Sequence, residues 1–78
     1  MKAYILFNVN TGTIPEVIRN LRKLPGVQSA QMTFGDYDIV AVAEVESINR
    51  LARLVAQEIH PIPGVVRTHT CMAVELDE

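Results

Sequence analysis

The stretch Phe34-Gly35-Asp36-Tyr37-Asp38 lies near the middle of the chain, between two apolar-rich runs at residues 27–34 and 39–45. Glycine accepts a positive φ and aspartate tolerates left-handed backbone, so Gly35-Asp36 favours a tight turn. We therefore predict a β-hairpin with this stretch at its tip. Two carboxylates, a phenol and free turn amides would then meet at one end of a sheet. That arrangement suits a small zwitterion, and a solvated turn without a ligand is the alternative.

The segments around the hairpin alternate between strand and helix patterns. Residues 3–9 and 39–43 are apolar on both faces of a strand, whereas residues 27–34 and 65–76 alternate apolar with polar side chains. Two further segments have apolar residues at helical spacing. In the first they are Ile14, Val17, Ile18, Leu21 and Leu24; in the second, Ile48, Leu51, Ala52, Leu54, Val55 and Ile59.

Both helices carry boundary signals. Thr13 and Glu16 form a candidate capping box, in which the hydroxyl accepts from the amide of residue 16 and the carboxylate reaches back. Ser47 is the candidate N-cap of the second helix. Pro25-Gly26 ends the first helix and Pro61 ends the second.

An internal repeat relates the two halves of the chain. Leu24-Pro25-Gly26-Val27 recurs as Ile62-Pro63-Gly64-Val65, and each half reads strand, helix, turn, strand. Two such halves joined by the hairpin give βαββαβ, an α+β ferredoxin-like sandwich. Right-handed crossovers place both helices on one face and give an antiparallel sheet with strand order 4-1-3-2. That order puts the two strands that are apolar on both sides at the centre.

Length and composition indicate a single small domain that associates with other chains. A chain of 78 residues buries only roughly 60–65% of its unfolded surface. The lone cysteine, Cys71, excludes an internal disulfide, and no Cys/His spacing predicts a metal site or cofactor. Two helices cover one face of the sheet, so apolar side chains remain on the other. We expect a face-to-face homodimer, with a different partner protein as the alternative.

Charge and hydropathy argue against two further classes of partner. The net charge is −2 without a basic run, so direct binding of nucleic acid is not expected. No apolar segment approaches the ~20 residues of a membrane span. The first residues lack the cleavage pattern of a signal peptide, so we expect a cytoplasmic protein.

The hairpin residues and two threonines could recognise a free amino acid. Asp36 or Asp38 could bind the ammonium through a charge-assisted hydrogen bond. Backbone amides around Gly35 and the threonine hydroxyls could hold the carboxylate, beside an apolar wall from Tyr37. Two alternatives stay open: Asp38 stabilises the hairpin, and the threonines reflect β propensity alone. The candidate effector-binding residues are Gly35, Asp36, Tyr37, Asp38, Thr68 and Thr70.

Catalytic interpretations have less support. His69 and Cys71 lie two apart on one strand and share a face, but no third group orients the imidazole. We expect Cys71 to be a buried free cysteine and His60 to favour the carbonyl end of its helix. The hairpin carboxylates and phenol could serve a small enzyme of the dimeric ferredoxin-like type. Their spacing specifies no substrate, so we expect no catalytic residues.

Three segments together resemble one protein family: Leu24-Pro25-Gly26-Val27, Gly35-Asp36-Tyr37-Asp38-Ile39-Val40 and Pro63-Gly64-Val65-Val66-Arg67-Thr68-His69-Thr70. They look like the ligand-binding (RAM) domain of Lrp/AsnC transcription regulators, over essentially the whole chain, residues 1–78. Family members usually carry an N-terminal helix-turn-helix. Here Met1 directly precedes the first strand, so the chain resembles the stand-alone RAM proteins or an excised domain.

The resemblance implies a dimeric α/β barrel type of assembly: dimers through the sheet faces, rings of dimers, and an amino-acid effector bound between dimers near the hairpin. The first hypothesis is therefore a non-enzymatic amino-acid-binding regulatory domain that modulates full-length Lrp/AsnC relatives by co-assembly. The second is the small enzyme described above.

Overall fold

The computed structural model describes residues 1–76, which form a four-stranded antiparallel sheet with two helical connections. The strands are β1 (Lys2–Val9), β2 (Val27–Met32), β3 (Ile39–Glu44) and β4 (Val65–Met72), in the order 2-3-1-4. Helix α1 (Ile14–Arg22) joins β1 to β2, and α2 (Ile48–Arg53), continued by a π-helical segment (Leu54–Ile59), joins β3 to β4. Counted from the other edge this is 4-1-3-2, so the predicted ferredoxin-like βαββαβ fold is confirmed.

The core lies between one face of the sheet and the helices. Along residues 3–7 and 39–43 the odd-numbered side chains are buried, whereas the even-numbered ones are half-buried or exposed. This alternation is the strand period of two, and it decides which set of apolar side chains faces the helices. The core cluster contains Ile5, Phe7, Ala30, Ile39, Ala41 and Ala43 from the sheet, and Val17, Leu21, Leu54 and Ile59 from the helices.

The two Pro-Gly turns of the internal repeat make the same hydrogen bonds. The fourth residue's amide donates to the first residue's carbonyl, at 3.1 Å in Leu24–Val27 and 3.2 Å in Ile62–Val65. The third residue is glycine, with φ of +95° and +100° respectively, which a side chain would resist. Each glycine carbonyl also accepts at 2.8 Å from an amide at the end of a central strand, that of Glu44 or of Asn10. The sequence repeat is therefore also a structural one.

The predicted capping box at the start of α1 is wrong. Thr13 is the N-cap, but its hydroxyl donates to the Asn10 carbonyl at 2.6 Å instead of accepting from the helix. The Thr13 amide donates to the same carbonyl at 3.1 Å. A local turn therefore takes up the hydroxyl that the capping box would need. At the second helix the prediction is confirmed, because Ser47 Oγ accepts from the Arg50 amide at 3.1 Å.

Two boundaries differ from the sequence prediction. The predicted tight hairpin is a wide loop over residues 33–38, since β2 ends at Met32. Strand β4 was predicted to reach Leu76 and ends at Met72, because β1 begins at Lys2 and offers no further partner. As predicted, β2 is an edge strand. No helix within residues 1–76 is long and apolar enough to cross a lipid bilayer.

Gly64→Ala should destabilise the chain more than Gly12→Ala. Both glycines have a positive φ, so both changes carry the ~1–2 kcal/mol cost of left-handed backbone. A Cβ at Gly64 would also lie 2.7 Å from Thr13 Oγ1, whereas a Cβ at Gly12 would meet no atom within 4 Å. We expect an additional loss of about 1–3 kcal/mol in the free energy of unfolding for Gly64→Ala, measured with urea. Equal losses would mean that Thr13 moves aside without cost.

Candidate functional site

The loop over residues 33–38 is closed on itself and attached to β1. Thr33 donates through its amide to the Asp38 carbonyl at 2.9 Å and through its hydroxyl to the Tyr37 carbonyl at 2.8 Å. The Asp38 amide donates to the Phe7 carbonyl at 2.7 Å. Gly35 has a φ of +122°, as its place in the turn predicts. The loop is therefore a fixed extension of the end of the sheet where β1 finishes.

The Asp38 carboxylate is part of this attachment. Its Oδ2 accepts from the Val9 amide at 2.9 Å, at a partly buried position, so the hairpin-stabilising alternative describes this residue. Asn8 Nδ2 donates to the Asp36 carbonyl at 2.9 Å and holds the loop from the same strand. The Asp36 side chain is exposed, and its carboxylate takes part in none of the hydrogen bonds found within residues 1–76. Asp36 is thus the loop carboxylate left available for a cation.

Tyr37 lies on the face of the sheet that carries no helix. Its ring centroid is 6.1 Å from that of His69, with the planes tilted by 45°. His69 pairs across the sheet with Leu6, whose neighbours in β1 are buried against the helices, so both point the opposite way. Cys71 shares this face and is exposed, which corrects the prediction of a buried thiol. We call this surface the helix-free face: Tyr4, Leu6, Val40, Val42, His69 and Cys71.

The two candidate threonines lie on the helix side instead. Thr68 pairs with Phe7 and Thr70 with Ile5, and direct cross-strand partners share a face. Thr68 Oγ1 is 2.9 Å from His60 Nε2, so His60 contacts a hydroxyl beyond the end of its helix. Thr70 lines a groove of about 260 Å³ together with residues of α2 and the π-helical segment. The spacing of the threonines in the sequence does not reveal this orientation.

The structure brings the loop and Thr68 to the same end of the sheet, but the two do not enclose a pocket. The loop is bonded to Phe7, and Thr68 is the cross-strand neighbour of that residue; Thr70 lies further into the sheet. Tyr37 is on one face and Thr68 on the other. At the tip Phe34 is 95% exposed, and Gly35 and Asp36 are exposed beside it. In a single chain these groups therefore do not enclose a small molecule.

Sequence reasoning missed Asn8 as an anchor of the loop, and it missed the contacts that His60 and His69 make at this end of the sheet. Asn8 is a polar residue near the end of an otherwise apolar strand, and that position could have indicated a loop anchor. The contacts of His69 with Tyr37 and of His60 with Thr68 depend on strand register and helix length, for which no local signal exists.

Within residues 1–76 no cluster of three or more His, Cys, Asp or Glu could hold a metal ion.

At the opposite end of the sheet, one charged pair involves the first residue. The Met1 ammonium donates to Glu44 Oε2 at 2.6 Å, and this hydrogen bond lowers the pKa of the Glu44 carboxyl. The pair is exposed, so water screens it, and we assign it no role in ligand recognition.

Comparison with known protein families and sequences gives a consistent result. The family model described as the Lrp/AsnC ligand binding domain matches residues 2–76. The HTH-type transcriptional regulator FL11 from Pyrococcus horikoshii is 36% identical over 78 aligned residues, covering 96% of this chain and 49% of that protein. The chain thus spans about half the length of this curated relative.

Solved structures share the fold. TTHA0845 from Thermus thermophilus is 26% identical with a TM-score of 0.92, covering 99% of this chain and 96% of that one. The transcriptional regulator NMB0573 from Neisseria meningitidis, solved as a complex with L-Met, is 20% identical with a TM-score of 0.86, covering 95% and 49%. This second likeness shows the fold alone. Because the family model matches nearly the whole chain, this protein belongs to the family of Lrp/AsnC ligand-binding domains.

Proposed function

We propose that this chain is a non-enzymatic regulatory domain that binds a free amino acid at a junction between subunits. The observation that carries the proposal is the attached loop, which presents a free Asp36 carboxylate and turn amides at one end of the sheet. Membership of a ligand-binding family supports a binding role. The L-Met bound by NMB0573 supports a free amino acid as the class of ligand.

The chemistry of the loop matches the two ends of an amino acid. The Asp36 carboxylate accepts from the ligand ammonium, and amides around Gly35 donate to the ligand carboxylate. Tyr37 supplies an apolar wall, Thr68 supplies a hydroxyl at the same end of the sheet, and Thr70 a second one further in. Asp38 contributes by holding the loop in place. Since the tip is exposed in one subunit, a neighbouring subunit completes the pocket.

The helix-free face is the proposed dimer interface. Tyr4 is 41% exposed there, and Leu6, Val40 and Val42 are half-buried, so apolar surface remains without a cover in one subunit. A second copy of the same face is the simplest cover for it. Dimers formed in this way place their loops at the rim, where contacts between dimers build a higher ring and close the effector sites.

The regulatory target is a full-length relative. FL11 is named a transcriptional regulator, and this chain matches about half of it. With a net charge of −2, the chain itself is not expected to bind DNA. It acts by assembling with relatives that carry the DNA contact. The cytoplasm is the proposed place of this assembly. In this role the amino acid is bound and released unchanged.

A thermal-shift screen of the twenty amino acids, followed by calorimetric titration, tests the binding site with a matched pair of variants. Asp36→Ala should weaken binding by ~1.5–3 kcal/mol, because a charged hydrogen bond is lost, with little change in stability. Asp38→Ala should instead lower the free energy of unfolding by ~1–3 kcal/mol, since the Val9 amide loses its acceptor.

Three results would count against this proposal. No stabilisation by any amino acid would remove the effector role. Unchanged affinity in Asp36→Ala, beside a parent that binds, would move the ammonium anchor elsewhere. Chemical conversion of the bound amino acid would favour the enzyme hypothesis.

Val42→Lys should dissociate the dimer and leave the subunit folded. In one subunit the half-buried side chain can reach water, whereas in the dimer an unpaired ammonium would be buried at high cost. Gln57→Lys, at an exposed position of the π-helical segment, is the matched control and should assemble like the parent. Light scattering measures the mass. A parent that already has the 8.7 kDa mass of one chain would contradict the proposed assembly.

A further inference from the structure

The end of the π-helical segment meets β4 at one of the candidate effector residues. His60 follows the segment directly, and its Nε2 lies 2.9 Å from Thr68 Oγ1. The His60 amide donates to the Val55 carbonyl at 2.9 Å, so the last turn of the segment holds the backbone that carries the imidazole. The contact between His60 and Thr68 is therefore built by the helix end and the strand, without the loop over residues 33–38.

A histidine and a threonine can share such a hydrogen bond in two ways. A neutral imidazole carries its proton on either Nδ1 or Nε2, and an imidazolium carries a proton on both. If Nε2 has no proton, it accepts from the threonine hydroxyl, whose oxygen then offers only lone pairs to a ligand. If Nε2 has a proton, it donates to the oxygen, and the hydroxyl can donate to a third group. The protonation of His60 therefore decides whether Thr68 recognises a cation or an anion.

The surroundings of this pair favour an anion. A hollow of about 300 Å³ adjoins it, lined by His60, Val65, Val66, Arg67 and Thr68. Arg67 is exposed, and among these lining residues from the described part of the chain there is no carboxylate. The free carboxylate of the proposed site, that of Asp36, lies on the loop instead. The carboxylate end of an amino acid therefore suits the position beside Thr68.

We propose that His60 is a positioning residue of the effector site: its Nε2–H donates to Thr68 Oγ1, so that the Thr68 hydroxyl donates to the carboxylate of the bound amino acid. The inference rests on the proposed amino-acid site and adds to it a residue that touches no ligand atom. In one chain the pair is open to water. A neighbouring subunit that closes the site excludes this water and strengthens both hydrogen bonds.

The proposal has a consequence for the pH dependence of binding. The Nε2–H tautomer and the imidazolium both allow the arrangement, and the imidazolium adds a positive charge behind the hydroxyl, which strengthens its bond to a carboxylate. Arg67, in the same hollow, opposes the uptake of a proton by His60, and the ligand carboxylate favours it. Glu58 does not line the hollow, and His69 lies on the helix-free face. Affinity should therefore rise as the pH is lowered through the range in which histidines take up a proton.

Calorimetric titration of matched variants tests this role. The probes are L-methionine, which NMB0573 binds, and the other free amino acids, and the tightest binder is used throughout. His60→Ala should weaken binding about threefold to tenfold near pH 7, because the Thr68 hydroxyl is no longer oriented. His60→Gln should bind within about twofold of the parent near pH 8, since the side-chain amide can also donate. It should lose the rise in affinity that the parent shows near pH 6, since the amide does not titrate.

A double-mutant cycle tests whether His60 acts through Thr68. Thr68→Val removes the hydroxyl and keeps the shape of the side chain. In that background His60→Ala should cause no further loss of affinity, because its only route to the ligand is gone. Glu58→Gln, in the same π-helical segment, is the control and should keep both the affinity and the pH response of the parent. Urea titration of every variant separates a loss of affinity from a loss of stability.

The outcomes separate this inference from the proposed function. If no free amino acid binds the parent, both fail. If the parent binds and His60→Ala binds equally well, or loses as much affinity in the Thr68→Val background as alone, the role of His60 is wrong and the effector site stands. Affinity that falls between about pH 8 and about pH 6, with His60→Gln abolishing the fall, would mean that Thr68 faces the ammonium, and it would also overturn the inference.

Discussion

Two helices can cover only one face of a four-stranded sheet, and the organisation of this protein follows from that limit. The odd-numbered side chains of β1 and β3 are sealed against α1 and the π-helical segment, and the even-numbered ones are left without a cover. Apolar surface is worth roughly 25 cal/mol per Å² when it is removed from water. Covering the open face with a second copy would therefore stabilise this small chain. The loop and the two edge strands lie at the border of that face.

The internal repeat explains where function can reside. Both Pro-Gly turns have a positive φ at glycine and a glycine carbonyl bonded to a central strand, so each half of the fold closes in the same way. Gly64 also packs against Thr13, which leaves that turn no room for a side chain. The loop over residues 33–38 joins the halves and has no counterpart in the repeat. Its exposed tip, residues 34–36, can therefore carry chemistry, while Asp38 holds the loop to β1.

The sequence predicted the strand order because two independent signals agreed: the repeated Pro-Gly turns and the strands that are apolar on both sides. It could not decide which side of those strands faces the helices, because residues 39–43 of β3 are all apolar. For the same reason the sequence did not show that Thr68 and Tyr37 lie on opposite faces of the sheet. Those faces depend on the cross-strand register. The Thr13 hydroxyl could either cap the helix or donate within the preceding turn, and the structure shows the bond within the turn. The sequence also allowed two roles for Asp38. In the structure its carboxylate accepts from the Val9 amide and holds the loop to β1.

The attachment of the loop to β1 determines how a ligand bound at the tip would affect the rest of the protein. A flexible binding loop loses about 1–2 kcal/mol of backbone entropy per residue when a ligand orders it. Here the hydrogen bonds between the loop and Phe7, Asn8 and Val9 of β1 already hold the loop backbone in place. Occupancy of the tip would then be transmitted as a small rigid displacement of β1, a central strand, and not as the folding of a disordered segment. Because the loop is already ordered, little of the binding free energy is lost to fixing its backbone.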